Sequence, residues 1–317
     1  MSKPPLIVLA GPTASGKTSL SIALAHRLDA EIVAMDSMQV YRHMDIGTAK
    51  PTIKEQEGIP HHMLDVADPR DAYSVAEYVS AAKACIADIH ARGRIPLMVG
   101  GTGLYLKALT TPMALGNTQS DPELRARLET IAQAENGPQV LHEKLSRIDP
   151  NTAQRLHPND IRRVIRALEV FELTGIPLSR QQPEQGEESP YSLCVLGLKM
   201  DREKLYSRIE ERVDLMMAQG LQKEVESLLQ MGVSPHAQAM QGLGYKELVP
   251  VVMGESPRPV AVDAIKLGTR HYAKRQMTWF RSTKDIFWLD ALAPDCFEQA
   301  LAHVSTILRA QEESNCL

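Results

Sequence analysis

The apolar run LIVLA, Leu6 to Ala10, breaks abruptly into GPTASGKT, Gly11 to Thr18. The spacing G-x-x-x-x-G-K-[ST] is that of a phosphate cradle, and its setting is the one such a cradle needs: a strand before it and a helix, Thr18 to Leu28, opening out of it. Gly11 and Gly16 let the backbone turn so that the amides of Thr13, Ala14, Ser15, Gly16 and Lys17 converge on an anion. The helix that follows directs its positive end to the same point. Lys17 adds a full charge, and the Thr18 hydroxyl is a ligand for Mg²⁺. A turn with no ligand would also use the two glycines, but it would not need the Lys-Thr pair. A phosphate or diphosphate is therefore expected here, and the rest of the chain must say which.

The first third alternates strand and helix. Glu31 to Met35 reads as a short strand ending at Asp36. Ser74 and Glu77 form a capping box for a helix that stops at Gly93. Ile95 to Val99 reads as a strand ending in Gly100-Gly101. Such alternation predicts a parallel sheet with helices on its faces. Near Leu115 the texture changes, and Asp121-Pro122 opens a region of amphipathic helices without strand periodicity. Tyr191 to Met200 reads as a buried strand again. The expectation is an α/β fold: a P-loop NTPase-like parallel sheet flanked by helices, residues 1–119 and 191–317, with an all-helical insertion domain, residues 120–190. Within the second part of the core, Asp201 caps a helix ending at Gly220, a second helix covers Gln222 to Met231, and a long one covers Val262 to Ser282. A short apolar strand, IFWL, follows it. The tail after Arg309 is expected to fray.

Asp36 stands at the C-terminal end of its strand, the edge where open α/β sheets bind ligands. A carboxylate there can accept a proton from a nucleophile, hold Mg²⁺ through water, or cap the next turn. The strand ending at Val99 runs into Gly100-Gly101-Thr102-Gly103, where a P-loop NTPase usually carries a Walker-B aspartate. The glycines instead permit close approach of a flat or bulky group, with Thr102 as a polar contact. Arg208 and Arg212 lie four apart on one helix face. They can grip a diphosphate, or pair in solvent with Glu211 and Asp214, a reading slightly favoured for Arg208. The final long helix and its end carry Lys266, Arg270, Lys274, Arg275, Arg281 and Lys284, interleaved with Tyr272, Trp279 and Phe280. Basic groups beside aromatics are the footprint of RNA, whose exposed bases stack. Arg162, Arg163 and Arg166 form a second basic cluster. His61 and His62 read as inert loop residues.

Composition sets the outer bounds. The 317 residues are 44% hydrophobic and carry a net charge of −4. That length can bury one large core or two. No apolar run approaches the ~20 residues of a membrane span. The start of the chain is too short for a secretory leader, and Cys85, Cys194, Cys296 and Cys316 show no metal or disulfide spacing. A cytoplasmic, membrane-free protein is expected, for which a monomer suffices and no obligate protein partner is implied.

Taken together, GPTASGKT, DSMQVYR (Asp36 to Arg42), MDIGTAKPT (Met44 to Thr52), PHHMLD, VGGTGLY (Val99 to Tyr105), HPNDIRRVIRALEV and AKRQMTWFR resemble the bacterial tRNA dimethylallyltransferase family, also called isopentenyl-diphosphate:tRNA transferases. The resemblance runs from about Leu6 to Leu289. It implies transfer of a dimethylallyl group from dimethylallyl diphosphate to the exocyclic amine of the adenosine 3′ of the anticodon, in tRNAs reading U-initial codons. It also implies a base at Asp36, a diphosphate cradle over Thr13 to Thr18, and a base contact at Thr102, with Lys17 as the principal charge on the leaving group and Mg²⁺ on Thr18. Contacts to the tRNA anticodon stem-loop are implied for Asp36, Ser37, Met38 and Gln39, and for Asp160, Ile161, Arg162, Arg163 and Val164. They are further implied for Gln241, Gly242, Tyr245 and Lys246, for Lys274, Arg275, Gln276, Trp279 and Arg281, and for Arg125. Arg212 is expected to join the diphosphate site. The zinc finger that eukaryotic relatives add has no matching Cys/His spacing here.

The main rival is a P-loop kinase of a small metabolite or nucleoside, with ATP in the cradle and Asp36 facing a hydroxyl. An RNA-binding GTPase-like switch would need an N-K-x-D motif, and a trans-prenyl synthase a D-D-x-x-D run; the chain has neither.

Overall fold

A computed structural model describes residues 3–111, 121–181 and 188–315. The chain forms two compact units, Met1–Thr110 with Ser189–Leu317, and Thr111–Glu188. The first unit begins β1 (Pro5–Ala10), α1 (Lys17–Leu28), β2 (Ala30–Met35), β3 (His61–His62), α2 (Val75–Ala91), β4 (Ile95–Gly100) and α3 (Gly103–Thr110). The second consists of α4 (Pro122–Gln133), α5 (Gly137–Ile148), α6 (Pro150–Arg155), α7 (Ile161–Thr174) and α8 (Leu178–Gln181). The first unit resumes with β5 (Ser192–Lys199), α9 (Arg202–Gln219), α10 (Leu221–Gln230), α11 (Tyr245–Val252), α12 (Arg258–Arg281), β6 (Ile286–Asp290) and α13 (Cys296–Asn315).

The six strands lie in the order β3-β2-β4-β1-β5-β6, and every pairing is parallel. A parallel strand covered on both faces reads as an unbroken apolar run, which is what Leu6 to Ala10 is. Ile7 and Leu9 join Leu97, Leu196 and Leu289 in a core closed by Ile22 and Leu24 of α1 and by Ala300 and Val304 of α13. Because side chains alternate across a strand, Leu6 and Val8 point to the opposite face; both are fully buried. Register does the positioning: Ala10 pairs with Gly100, and Met35 pairs with Gly100. The residues that follow, Gly11, Asp36 and Gly101, therefore leave the sheet side by side at its C-terminal edge.

One expectation fails here. His61 and His62 are not loop residues but a short edge strand, pairing with Ile32 and Val33; His62 Nε2 lies 2.6 Å from buried Glu31. Two residues are too few for any periodicity to reveal. α13 runs on to Asn315, and Phe297, Leu301, Ile307 and Leu308 pack it onto the sheet.

The helical unit has its own core of Leu124, Leu128, Leu141, Leu145, Val164 and Leu168. Asp121 caps α4 by accepting the amides of Glu123 and Leu124. Glu169 is fully buried; burial would raise its pKa, but bonds from Arg125 (2.8 Å) and Arg166 (2.6 Å) outweigh that and hold it below the usual range. Leu9→Ala, in the central strand, is expected to lower stability by ~2–5 kcal/mol through lost burial and a residual cavity. A denaturant titration checks it, and a loss under 1 kcal/mol would mean that the core is not centred on β1.

Candidate active site

The loop after β1 folds as an anion nest. Ala14 (φ 62°) and Gly16 (φ 92°) both adopt the left-handed conformation, which turns successive amides to one side. Ser15 is buried, and its hydroxyl donates to the Pro12 carbonyl at 2.8 Å, so its side chain braces the loop from within. Lys17 Nζ donates to the carbonyls of Gly11 (3.0 Å) and Pro12 (2.6 Å). Thr18, in the first turn of α1, is exposed.

The charges around this loop are enclosed. Burial and the nearby Arg212 guanidinium pull the Lys17 pKa down to about 7, while Asp36 opposes them. Arg212 is itself depressed by burial, against the pull of Asp36 and Glu55. Burial raises Asp36, and its Oδ1 accepts the amides of Met38 (2.8 Å) and Gln39 (3.3 Å), which with Lys17 and Arg212 pull it back. Two cations crowded without full solvation favour an anion brought between them. Arg208 also belongs here: its guanidinium stands 4.0 Å from where a Gly16 side chain would begin. Its expected solvent partners are engaged elsewhere, Asp214 with Lys266 and Glu211 with Ser207.

Across from the cradle lies the glycine-rich turn after β4. A side chain on Gly100 would strike the Met35 carbonyl at 2.0 Å, and one on Gly103 would strike the Trp279 ring at 2.0 Å. Thr102 Oγ1 accepts the Ser37 amide at 3.2 Å, joining this turn to the one that carries Asp36. Gln276, buried on α12, accepts the Thr13 amide (2.9 Å) and donates to the Gly101 carbonyl (3.1 Å), so one side chain ties the cradle to the glycine turn. Tyr272, expected only as one of the aromatics interleaved with the basic residues of α12, instead faces the glycine turn. Its hydroxyl lies within hydrogen-bonding reach of Thr102 and Gln276, and burial beside Asp36 pushes the phenol well up.

The other expected RNA contacts divide into exposed and engaged groups. Lys274, Arg275 and Arg281 are exposed on α12, and Arg275 lies over the Tyr272 ring at 5.8 Å. Lys274, Arg275 and Trp279, with His271, Thr278 and Ser282, line an open cavity of about 620 Å³. Lower on the same helix the basic stripe turns inward, Lys266 to Asp214 and Arg270 to Glu210. Gln241 and Lys246 are exposed, whereas Gly242 and Tyr245 are buried. In the helical unit Arg162 and Arg163 are exposed, Ile161 is half-buried, and Asp160 pairs with Arg163. Val164 and Glu169-bound Arg125 serve that unit's own packing, so the Val164 side chain has no surface to offer. Among the described residues no three His, Cys, Asp or Glu cluster as a metal site, and no helix is long and apolar enough to cross a membrane. The donor set still fits Mg²⁺, which commonly takes one or two protein oxygens and completes its shell with phosphate and water.

A parallel α/β core, a glycine-lysine cradle and a lone carboxylate in place of a Walker-B acid define a P-loop-like group-transfer enzyme. The IPP transferase family model matches residues 39–283. A tRNA dimethylallyltransferase of Symbiobacterium thermophilum is 48% identical over 307 residues, covering 97% of this chain and 96% of that one. One from Bacillus cytotoxicus is 45% identical over 310 residues, 98% of each. Among solved structures, the full-length tRNA isopentenylpyrophosphate transferase of Bacillus halodurans superposes with a TM-score of 0.75 at 42% identity, covering 99% of this chain and 100% of that one. A eukaryotic dimethylallyltransferase acting on tRNA gives 0.78 at 32% identity, covering 98% and 80%. The chain belongs to the IPP transferase family, whose members are prenyltransferases.

The depressed Lys17 pKa has a direct consequence. At pH 8 the free amine is mostly neutral, and a bound polyanion draws the proton back. Pyrophosphate binding at pH 8 should therefore take up protons that a Lys17→Met variant does not, and wild-type affinity should fall as pH rises above 7. Calorimetry in buffers of different ionisation enthalpy reads this; equal proton uptake by both proteins would contradict it.

Proposed function

We propose that this chain transfers the dimethylallyl group of dimethylallyl diphosphate to the exocyclic amine of the adenosine 3′ of the anticodon in tRNAs reading U-initial codons. The observation that carries the reading is the joined edge. The cradle, the Asp36 turn and the Thr102 turn are held together by strand register, by the Ser37–Thr102 bond and by Gln276. A diphosphate leaving group and a flat acceptor can meet there, and no Walker-B acid stands ready to activate water.

In the reaction the allylic C–O bond breaks, its electron pair leaving on the diphosphate. The adenine nitrogen forms the new C–N bond, and its proton passes to the Asp36 carboxylate. Lys17, the loop amides and Arg212 face the oxygen on which charge grows, with Arg208 at the rim. Mg²⁺ bound through Thr18 would further neutralise the diphosphate. A carboxylate whose proton affinity is raised by burial is the better acceptor at neutral pH. Thr102, with Tyr272 behind it, is the polar contact for the base, which must leave its stack at a cost of a few kcal/mol. Lys274, Arg275 and Arg281 supply phosphate contacts that offset this. The same reading takes the protein as a cytoplasmic monomer without an obligate protein partner.

Removing one preorganised donor to a developing anion typically costs ~3 kcal/mol of barrier, so Lys17→Ala should lose turnover by ~100-fold or more. Asp36→Ala should keep tRNA binding and lose transfer of label from dimethylallyl diphosphate to unmodified tRNA. Near-normal turnover in either variant refutes the corresponding role. Transfer of phosphate from ATP to a small acceptor, without prenyl transfer, would install the kinase reading instead. Reversing Lys274 and Arg275 to Glu should raise the tRNA KM by roughly tenfold and leave the KM for dimethylallyl diphosphate nearly unchanged; an unaltered tRNA KM removes this face of α12 from the interface.

A further inference from the structure

We propose that Glu224 of α10 is a positioning residue for the proton-accepting carboxylate, acting through the Asp45–Lys50 turn and Gln39. The inference rests on the assignment of Asp36 as base.

Glu224 lies far along the chain from Asp36, yet its carboxylate organises the segment that follows it. Oε2 accepts the amides of Asp45 (3.0 Å) and Ile46 (2.8 Å). Oε1 accepts the Gly47 amide (3.1 Å) and the Tyr245 hydroxyl (2.6 Å). Three consecutive amides aimed at one point form a nest that a carboxylate satisfies and that a neutral side chain cannot fill as well. The turn lies flush on its anchor: a side chain on Gly47 would meet the Tyr245 ring at 2.5 Å. Lys50 adds a second staple, donating to the Tyr41 carbonyl (2.9 Å) and pairing with Asp45 and Asp65 (2.6 Å each).

The anchored turn then presents the carbonyls of Thr48 and Ala49 to Gln39, whose Nε2 donates to them at 3.0 and 3.3 Å. The Gln39 backbone amide donates in turn to Asp36 Oδ1. On the other side Met38, whose amide makes the shorter bond to that oxygen, packs its methyl 2.5 Å from where a Gly242 side chain would begin. The α10–α11 region thus fixes both amides that orient the carboxylate, while the cradle is braced separately by Gln276 and by Lys17's own loop contacts.

That separation gives the test. In Glu224→Gln one oxygen is replaced by a donor facing amide donors, so the turn loosens. The kcat for prenyl transfer should fall about tenfold or more with the KM for dimethylallyl diphosphate within about threefold, because orientation and not donor binding is lost. Glu226→Gln, exposed on the same helix, should match wild type. Combined with Gln39→Ala, Glu224→Gln should add little further loss, since both cut one chain of contacts. Hydrogen exchange of the Asp45–Gly47 amides, read without substrate, should accelerate in Glu224→Gln. A wild-type kcat in Glu224→Gln, fully multiplicative losses with Gln39→Ala, or unchanged exchange overturns the inference. If wild type itself fails to transfer, the reaction assigned above is wrong, and the exchange contrast still decides whether Glu224 holds the turn. Should Glu224→Gln not fold, Tyr245→Phe keeps all three amide bonds and is expected to lower kcat about threefold at constant KM; an unchanged kcat there overturns it equally.

Discussion

The reactive edge depends on the register of three neighbouring parallel strands. Ala10, Met35 and Gly100 end level, and Gly100 lets β4 approach the Met35 carbonyl so closely that any side chain would collide at 2.0 Å. A one-residue slip would exchange buried and exposed faces of a strand. It would also carry Gly11, Asp36 or Gly101 out of line with the other two. Apolar burial on both faces of the sheet is therefore what aligns the chemistry, before any polar contact is made.

Polar contacts then lock the three turns to one another. Gln276 spans the cradle and the glycine turn, Thr102 spans the glycine turn and the Asp36 turn, and Gln39 and Glu224 tie the Asp36 turn to α10. The electrostatics oppose stability locally. Lys17 and Arg212 both lose hydration and repel each other, and Asp36 is held against its own desolvation. Such a site is poised for an anion that neutralises the two cations, in keeping with a transition state in which charge develops on a leaving diphosphate. Gln276 has a further consequence. The helix that exposes Lys274 and Arg275 to solvent buries, one residue on, the side chain that holds the Thr13 amide, so the face proposed for RNA and the cradle share one helix.

What the sequence made legible was local. A strand breaking into G-x-x-x-x-G-K-T, a carboxylate ending the next strand and a glycine-rich turn ending another are each short runs whose physics is self-contained. What it hid was long-range. The four bonds of Glu224 join residues more than twenty positions apart, and nothing in its helix marks it. Arg208 stands beside the cradle while Asp214 pairs with Lys266 on α12, a pairing that no spacing rule contains. The basic stripe of α12 is continuous in sequence but only partly available in space, since Lys266 and Arg270 face α9. Tyr245 and Val164, both expected as RNA contacts, are buried, the first clasped by Glu224, the second in the helical unit's core. α13 escaped notice because its apolar positions follow a short strand at the end of the chain.

A crystal structure of the protein with a non-reactive thio-analogue of dimethylallyl diphosphate and an unmodified anticodon stem-loop would show directly what the cradle holds. The diphosphate is expected in the Gly11–Thr18 loop against Lys17 and Arg212, with the allylic carbon facing an adenine amine beside Asp36. A nucleotide triphosphate productively seated in that loop, with the isoprenoid bound elsewhere, would contradict it.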